Sequence, residues 1–235
     1  MSFDFAERDV VVTGGSGALG AAVVALLVQR GATCYVPCYS ASQLDRFEYL
    51  EHERVKVETG VNLFDEESAV AYFDSLPTPW ACLNIAGGFA ASRLAETGLD
   101  DFRKMLDMNA STCFLATREA VKKMRASSDT EGGRIVNVGA KPALVPKAGL
   151  AAYAASKAAV ISLTLCLAEE LRDDGIWVNA VVPSIIDTPV NRDALPDADH
   201  ERWPSPADVA ETIAFLASPL NRATRGAVVP VYGLS

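Results

Sequence analysis

The stretch "VTGGSGALG", Val12 to Gly20, decides the fold. It follows the apolar β-branched run "DVVV", opens a helical pattern over Ala18–Gln29, and contains Gly15-x-Gly17-x-x-Gly20. A strand, then glycines, then a helix is the context in which this spacing carries meaning. The glycines let the backbone approach a pyrophosphate, and the helix N-terminus offers it free N–H groups and a positive dipole end. Gly14, Gly15, Ser16, Gly17, Ala18, Leu19 and Gly20 are therefore the first expected contacts of a dinucleotide.

Outward from this loop, short apolar runs alternate with helical patterns. "ATCYVPC" is followed by a weaker helix, "VKVE" by Glu66–Asp74, and "WACLNIAG" by Asp100–Arg125. "GRIVNV" precedes a helix over Ala151–Arg172, "IWVNAVVP" one over Pro206–Ala217, and a last strand falls near "AVVPVY". Strands this apolar, regularly separated by helices, predict a mostly parallel sheet covered on both faces. The expectation is an α/β fold: one Rossmann-type, doubly wound domain over residues 1–235, with helices on both faces. The irregular piece 185–206, rich in Pro and Asp, reads as a substrate lid.

Composition narrows the partners. A net charge of -9 argues against nucleic acid and anionic membrane, since the average field repels both. Met1–Val10 shows no charged-then-apolar leader, and no uninterrupted apolar stretch reads as long enough to span a bilayer. These features predict a soluble, cytoplasmic protein with a small-molecule substrate. Cys34, Cys38, Cys82, Cys113 and Cys166 are scattered without a C-x-x-C pair, which reads as reduced core residues, with no disulfide frame and no metal site.

Two further constellations carry chemistry. At the end of the second strand, "CYSAS" (Cys38–Ser42) holds no carboxylate to grip a ribose 2′-hydroxyl and repel a 2′-phosphate, and no Arg or Lys to hold that phosphate. Tyr39 and Ser40 are the expected contacts there, and the stretch permits NAD and NADP with a slight lean to NADP. Asn62, followed by Leu63, reads either as a contact to the adenine edge or as a turn former. Tyr153 and Lys157, four apart, share one helix face. An ammonium near a phenol favours phenolate and predicts a lowered tyrosine pKa, suited to proton donation near neutrality.

With "TGGSGALG", "NIAGG", "MNAS", "GRIVNV", "YAASK" and "VNAVVPSIIDTP" in order, the whole chain resembles the short-chain dehydrogenase/reductase family. The resemblance implies a nicotinamide cofactor, Tyr153 as catalytic acid, and Lys157 bridging the ribose hydroxyls and the tyrosine. It also implies that Asn109 supports a proton-relay water and that Thr188 contacts the nicotinamide amide or the pyrophosphate. Ala86, Gly87, Gly88, Pro183 and Ile186 fall in the matching cofactor motifs, and a homodimer or homotetramer is implied. Ala140 stands where the family has its serine. Within the family, the quinonoid dihydropteridine reductase branch shows similar stretches: "GGSGALG", "AGGF", "GAKPAL" and "DTPVNRDALPDAD" followed by Trp203. That branch also lacks the serine. It differs in carrying an aspartate near the position of Cys38 and preferring NADH.

The alanine has a physical consequence. Ketone reduction concentrates charge on one oxygen, and a missing donor costs roughly 3–4 kcal/mol of barrier. A quinonoid dihydropterin spreads that charge over conjugated nitrogens and needs a hydride, a proton and a flat pocket. Phe89 offers an aromatic face, with Ala140, Lys141 and Asn191 as further substrate contacts. Two alternatives stand beside this one: a carbonyl reductase or alcohol dehydrogenase borrowing the hydroxyl of Ser184 or Thr112, and a catalytically idle NAD(P)-binding sensor or assembly protein.

Overall fold

In the computed structural model, residues 4–127 and 132–235 are described; the first three residues of the Met1–Val10 stretch lie outside them. The strands β1 (Asp9–Thr13), β2 (Thr33–Cys38), β3 (Val55–Thr59), β4 (Ala81–Asn84), β5 (Gly133–Val138), β6 (Ile176–Pro183) and β7 (Val228–Val231) form one sheet in the order β3-β2-β1-β4-β5-β6-β7. Every pairing is parallel. Such strands need apolar side chains on both faces, because crossover helices cover both. Val10, Val11 and Val12 of β1 are accordingly all fully buried.

On one face, α1 (Ala18–Gln29) and α7 (Pro206–Ala217) pack together, with Val23, Val24 and Leu27 in the same cluster as Ile213 and Ala214. On the other lie α2 (Glu66–Ser75), α4 (Thr112–Ala126) and α5 (Ala151–Glu170), with Tyr72, Phe73, Leu115 and Met124 in the second cluster. The chain leaves β3 for α2 and re-enters the sheet beside β1 as β4, so the strand order reverses between β1 and β4. A crevice opens there at the carboxyl ends of the strands, the usual ligand position in such sheets.

Four expectations are corrected. The weak helix after β2 is a short 3-10 turn, Ala41–Leu44, because Ser40 and Gln43 close a capping box around it and no longer apolar face follows. The single helix over Asp100–Arg125 is split into α3 (Leu99–Leu106), a π turn (Asp107–Ser111) and α4. Segment 185–206 is not irregular throughout: it contains α6 (Pro189–Ala194), capped by Thr188, and a 3-10 turn at His200–Arg202. Finally, α5 is long and apolar enough, by length and composition, to cross a membrane, contrary to the reading of the apolar runs. Its buried side packs on β5 and β6, which accounts for part of that apolarity.

At the opposite, amino end of the strands, the buried Arg134 guanidinium lies 4.8 Å from the Trp80 ring and 4.7 Å from that of Trp177. It donates to the Gly133 and Asn221 carbonyls at 2.8 and 3.1 Å, while Trp80 Nε1 donates to Ala217 at 2.9 Å. Arg134→Met keeps the volume and loses the hydrogen bonds and the cation–π contacts. The expected loss is about 2–3 kcal/mol, seen by circular dichroism as a Tm lower by roughly 5–10 °C, with cofactor affinity unchanged.

Candidate active site

Each glycine of the first loop has its own steric reason. Gly14 has φ +67°, and a Cβ on it would lie 2.8 Å from Ala86 Cα; a Cβ on Gly20 would run into the Gly14 carbonyl. Gly15 faces inward against Val36 at 2.9 Å, whereas the position of Gly17 is open, its nearest neighbour 3.4 Å away. Gly17 also caps α1 without a side-chain hydrogen bond, and the first turn carries no acid. The Thr13 hydroxyl staples this loop to its neighbour: it accepts from Ile85 N and Ala86 N, each at 3.1 Å.

The cleft above these residues measures about 1000 Å3. It gathers Gly14, Ser16, Gly17, Ala18, Leu19, Gly20, Tyr39, Asn62, Leu63, Ala86 and Gly87 from the expected contacts. A glycine-rich loop at the N-terminus of α1 presents backbone N–H groups to the cleft, which fits a pyrophosphate, so the residues present suit a dinucleotide. Gly15, Ser40 and Gly88 are not among its lining residues; Pro183 ends β6, and Ile186 and Thr188 lie in the segment after it, Thr188 capping α6.

At the far end of the cleft, Cys38 Sγ donates to Ser16 Oγ at 3.6 Å, and burial pushes its thiol above the ordinary range. Tyr39 N donates to Gln43 Oε1 at 2.8 Å, and the Ser40 and Ser42 hydroxyls lie 2.8 Å apart. Asn62 lines the cleft, and its Oδ1 accepts from Phe64 N at 3.3 Å, holding the turn.

The π turn directs Asn109 into the protein, 1 % exposed. Its amide nitrogen lies 3.1 Å from the Gly88 and Met105 carbonyls and from Ser156 Oγ, and its oxygen accepts from Gly88 N at 3.2 Å. Ser156 Oγ in turn donates to the Tyr153 carbonyl at 2.7 Å. Lys157 Nζ donates to Val138 O at 2.9 Å, and Phe89, itself exposed, sets its ring against Tyr153, centroids 5.0 Å apart at 76°. Gly87 leaves room for this group, since a Cβ on it would strike Asn109 Oδ1 and come within 3.2 Å of Lys157 Nζ.

The expectation of a lowered tyrosine pKa is overturned. Burial pushes the Tyr153 phenol up to about 12 and pulls the Lys157 ammonium down to about 8, with the neighbouring Cys113 partly offsetting the latter. The ammonium is committed to Val138 O, and desolvation outweighs its field at the phenol.

Beyond β5, Ala140 is buried and presents only a methyl group. The hydroxyls considered as substitutes are bonded to the main chain: Thr112 to Asp107 O at 3.0 Å and Ser184 to Tyr232 O at 2.9 Å. Lys141 Nζ donates to Ser235 O at 3.0 Å, and Asn191 Nδ2 to Ile186 O at 2.8 Å, so the latter fastens α6 to its own loop. Thr188 Oγ1 caps α6 by accepting from Asn191 N at 3.3 Å. Among the described residues there is no group of His, Cys, Asp and Glu that could hold a metal. Thr13 and Ser156 escaped the sequence reading. Both lie inside quoted motifs, "VTGG" and "YAASK", where nothing local marks them as bridges between distant segments.

Comparison with known proteins agrees with this architecture. A family model described as short chain dehydrogenase matches residues 8–199. The chain is 32 % identical to a cis-4-hydroxycyclohexanecarboxylate dehydrogenase of Sinomonas cyclohexanicum, covering 97 % of this chain and 96 % of that protein. It is 28 % identical to a 3-oxoacyl-acyl-carrier-protein reductase of Rickettsia felis, covering 98 % and 97 %. Among solved structures, a blue fluorescent protein from a metagenomic library, in complex with NADPH, superposes with a TM-score of 0.85 at 30 % identity over 98 % of both chains. With the glycine loop, the Tyr153–Lys157 pair and the seven-stranded parallel sheet, these matches identify the chain as a member of the short-chain dehydrogenase family, an NAD(P)-dependent oxidoreductase.

Proposed function

We propose that this oxidoreductase reduces a quinonoid, pterin-like ring, with Tyr153 as proton donor. The observation that carries the reading is Ala140, a buried methyl where a carbonyl reductase needs a hydroxyl. Phe89 beside Tyr153 supports it with an aromatic surface for a flat ring. The nicotinamide, when bound, supplies a hydride. With a pKa of about 12, Tyr153 carries its proton throughout the neutral range and delivers it to the reduced ring. Lys157 holds the cofactor ribose and stabilises the phenolate left behind, and Asn109 ties the Gly88 lip to the Tyr153 turn through Ser156. Retaining a costly buried lysine beside that tyrosine supports catalysis over an idle sensor.

The names of the two curated relatives favour a second reading, reduction of a carbonyl or oxidation of an alcohol, with Ser184 or Thr112 released from its main-chain bond as donor. For the cofactor we favour NADP slightly, the NADPH in a solved relative adding to the absence of an acid at 38–42. Segment 185–206 is proposed as the substrate lid and the cytoplasm as the compartment. A homodimer or homotetramer is proposed through α4 and α5, whose Phe114 and Leu163 line a cavity of about 590 Å3 and whose Phe114 and Leu165 are exposed.

Three outcomes test these assignments. Fluorescence titration is expected to show NADH and NADPH binding within about tenfold of one another, or 1.4 kcal/mol, because neither an acid nor a base stands at 38–42. Tyr153→Phe is expected to lower kcat at least a hundredfold with cofactor affinity nearly unchanged, whereas Lys157→Met weakens the cofactor as well. Lys157→Met should nevertheless be the more stable protein at pH 7, by about 2 kcal/mol net of the lost Val138 bond, since a charged lysine no longer has to be buried. The sign follows from the folded-state value of about 8, below the ordinary lysine value of 10.5. The cost is fully present below pH 8, and the gap in Tm closes as pH rises toward 10.5, where the unfolded lysine also loses its proton. The third outcome concerns Ala140→Ser: steady-state rates should rise on simple ketones and change little on quinonoid dihydropterin. Efficient ketone reduction by the unaltered protein would instead favour the carbonyl reading.

A further inference from the structure

We infer that Lys104, on the α3 wall of the cleft, is the cation that holds the pyrophosphate of the bound dinucleotide. The inference rests on the dinucleotide reading of the cleft and not on the choice of substrate. Its starting point is where the cleft carries charge. The glycine loop and the strand ends contribute neutral lining residues, whereas all four charged ones, Asp100, Arg103, Lys104 and Asp107, come from α3 and the π turn that continues it. Spacings of three and four put them on one helix face, and that face is turned to the cleft. Met108, one turn beyond Lys104, lines the cleft as well, and a Cβ on Gly88 would strike it, so the helix is seated against the loop that follows β4. The same loop meets Gly14 through Ala86. The charged face is thereby fixed beside the glycine loop.

Three of the four charged side chains are engaged. Asp100 Oδ1 accepts from Arg103 Nη1 at 3.3 Å, and Asp107 Oδ1 accepts from the Ser111 hydroxyl at 3.1 Å. Lys104 and Asp107 have the spacing of a helical ion pair, yet the Asp107 carboxylate is bonded to Ser111 instead. Lys104 is exposed and, among the described residues, has neither an ion pair nor a hydrogen bond. Its ammonium is left for a ligand. The glycine loop supplies N–H groups to a pyrophosphate but no counter-charge, and a chain of net charge -9 repels phosphate on average. A local cation offsets both. Lysine suits the task as a compact charge on a flexible stem, and it adds a charge-assisted hydrogen bond to those of the loop. The other anionic group that a dinucleotide can carry, a 2′-phosphate, belongs at Tyr39 and Ser40 past β2, and no hydrogen bond or ion pair joins α3 to them among the described residues. Lys104 therefore serves NAD and NADP alike and does not choose between them.

The test titrates NADH and NADPH, followed by their fluorescence, into the unaltered protein and its variants. Lys104→Met is expected to raise the Kd of both roughly fivefold, the worth of one exposed charge pair. Lys104→Glu raises both further, and Lys104→Arg keeps both near the unaltered values. The loss shrinks at high salt, which screens an exposed charge. Lys123→Met is the control for net charge: Lys123 lies on α4 outside the cleft, donating to Asp74 O at 3.3 Å, and its removal leaves both Kd values unchanged. Kd values in Lys104→Met within about twofold of the unaltered protein's, a weakening confined to NADPH, or an equal loss in Lys123→Met would each overturn the inference. An unaltered protein that binds neither NADH nor NADPH would strike down the dinucleotide reading and this inference together, whereas binding indifferent to Lys104 strikes down the inference alone.

Discussion

The hydroxyl of Thr13 holds the crevice of this protein together. Fully buried at the end of β1, it accepts the N–H groups of Ile85 and Ala86 just past β4, and it lies 3.3 Å from the Leu83 carbonyl. It therefore closes the place where the strand order reverses, and Gly14 lies so near Ala86 that a Cβ on Gly14 would meet the Ala86 backbone. Asn109 continues the connection from Gly88 through Ser156 to the Tyr153 turn. The cleft and Tyr153 are thus linked by buried side chains. A network of this kind rigidifies only when every member is satisfied, which the four contacts of Asn109 achieve.

Burial sets the electrostatics of the site more than charge pairing does. Desolvation moves Tyr153 and Lys157 away from their ionised forms, and the lysine, wholly enclosed, bears the larger energetic cost. The fold tolerates that cost because the surrounding sheet is apolar on both faces and well packed. The same principle operates at the other end of the strands, where Arg134 is buried among tryptophans and carbonyls. There the cation has aromatic faces and acceptors that compensate it, and its role is structural. The contrast separates a residue kept for stability from one kept in spite of it.

Two departures from the family's common pattern define what is distinctive about the chain. Cys38 turns its thiol to Ser16, and residues 38–42 carry neither an acid nor a base, which leaves this stretch beside the cleft uncharged. Ala140 is a buried methyl group, while Lys141, the next residue, donates to the Ser235 oxygen. Both positions lie outside the hydrogen-bonded group of Asn109, Ser156 and the Tyr153 turn.

By itself the sequence determined the fold class, the glycine loop and its helix, the Tyr153–Lys157 pair and the absence of a hydroxyl at 140, because each is written in short-range spacing or in the identity of one residue. Period-two and period-3.6 patterns report burial on a strand or helix directly, so most element positions were legible. The π turn at Asp107–Ser111 was not, since helical periodicity runs through it and only its tertiary contacts turn Asn109 inward. The pKa of Tyr153 was also illegible: spacing puts an ammonium on the same helix face, but the depth of burial and the pull of Val138 O decide where the charge goes. Likewise Thr13, Ser156 and the Lys141–Ser235 contact join residues 73, 47 and 94 positions apart at the widest, and pairings over such separations exist only once the sheet has brought its strand ends together.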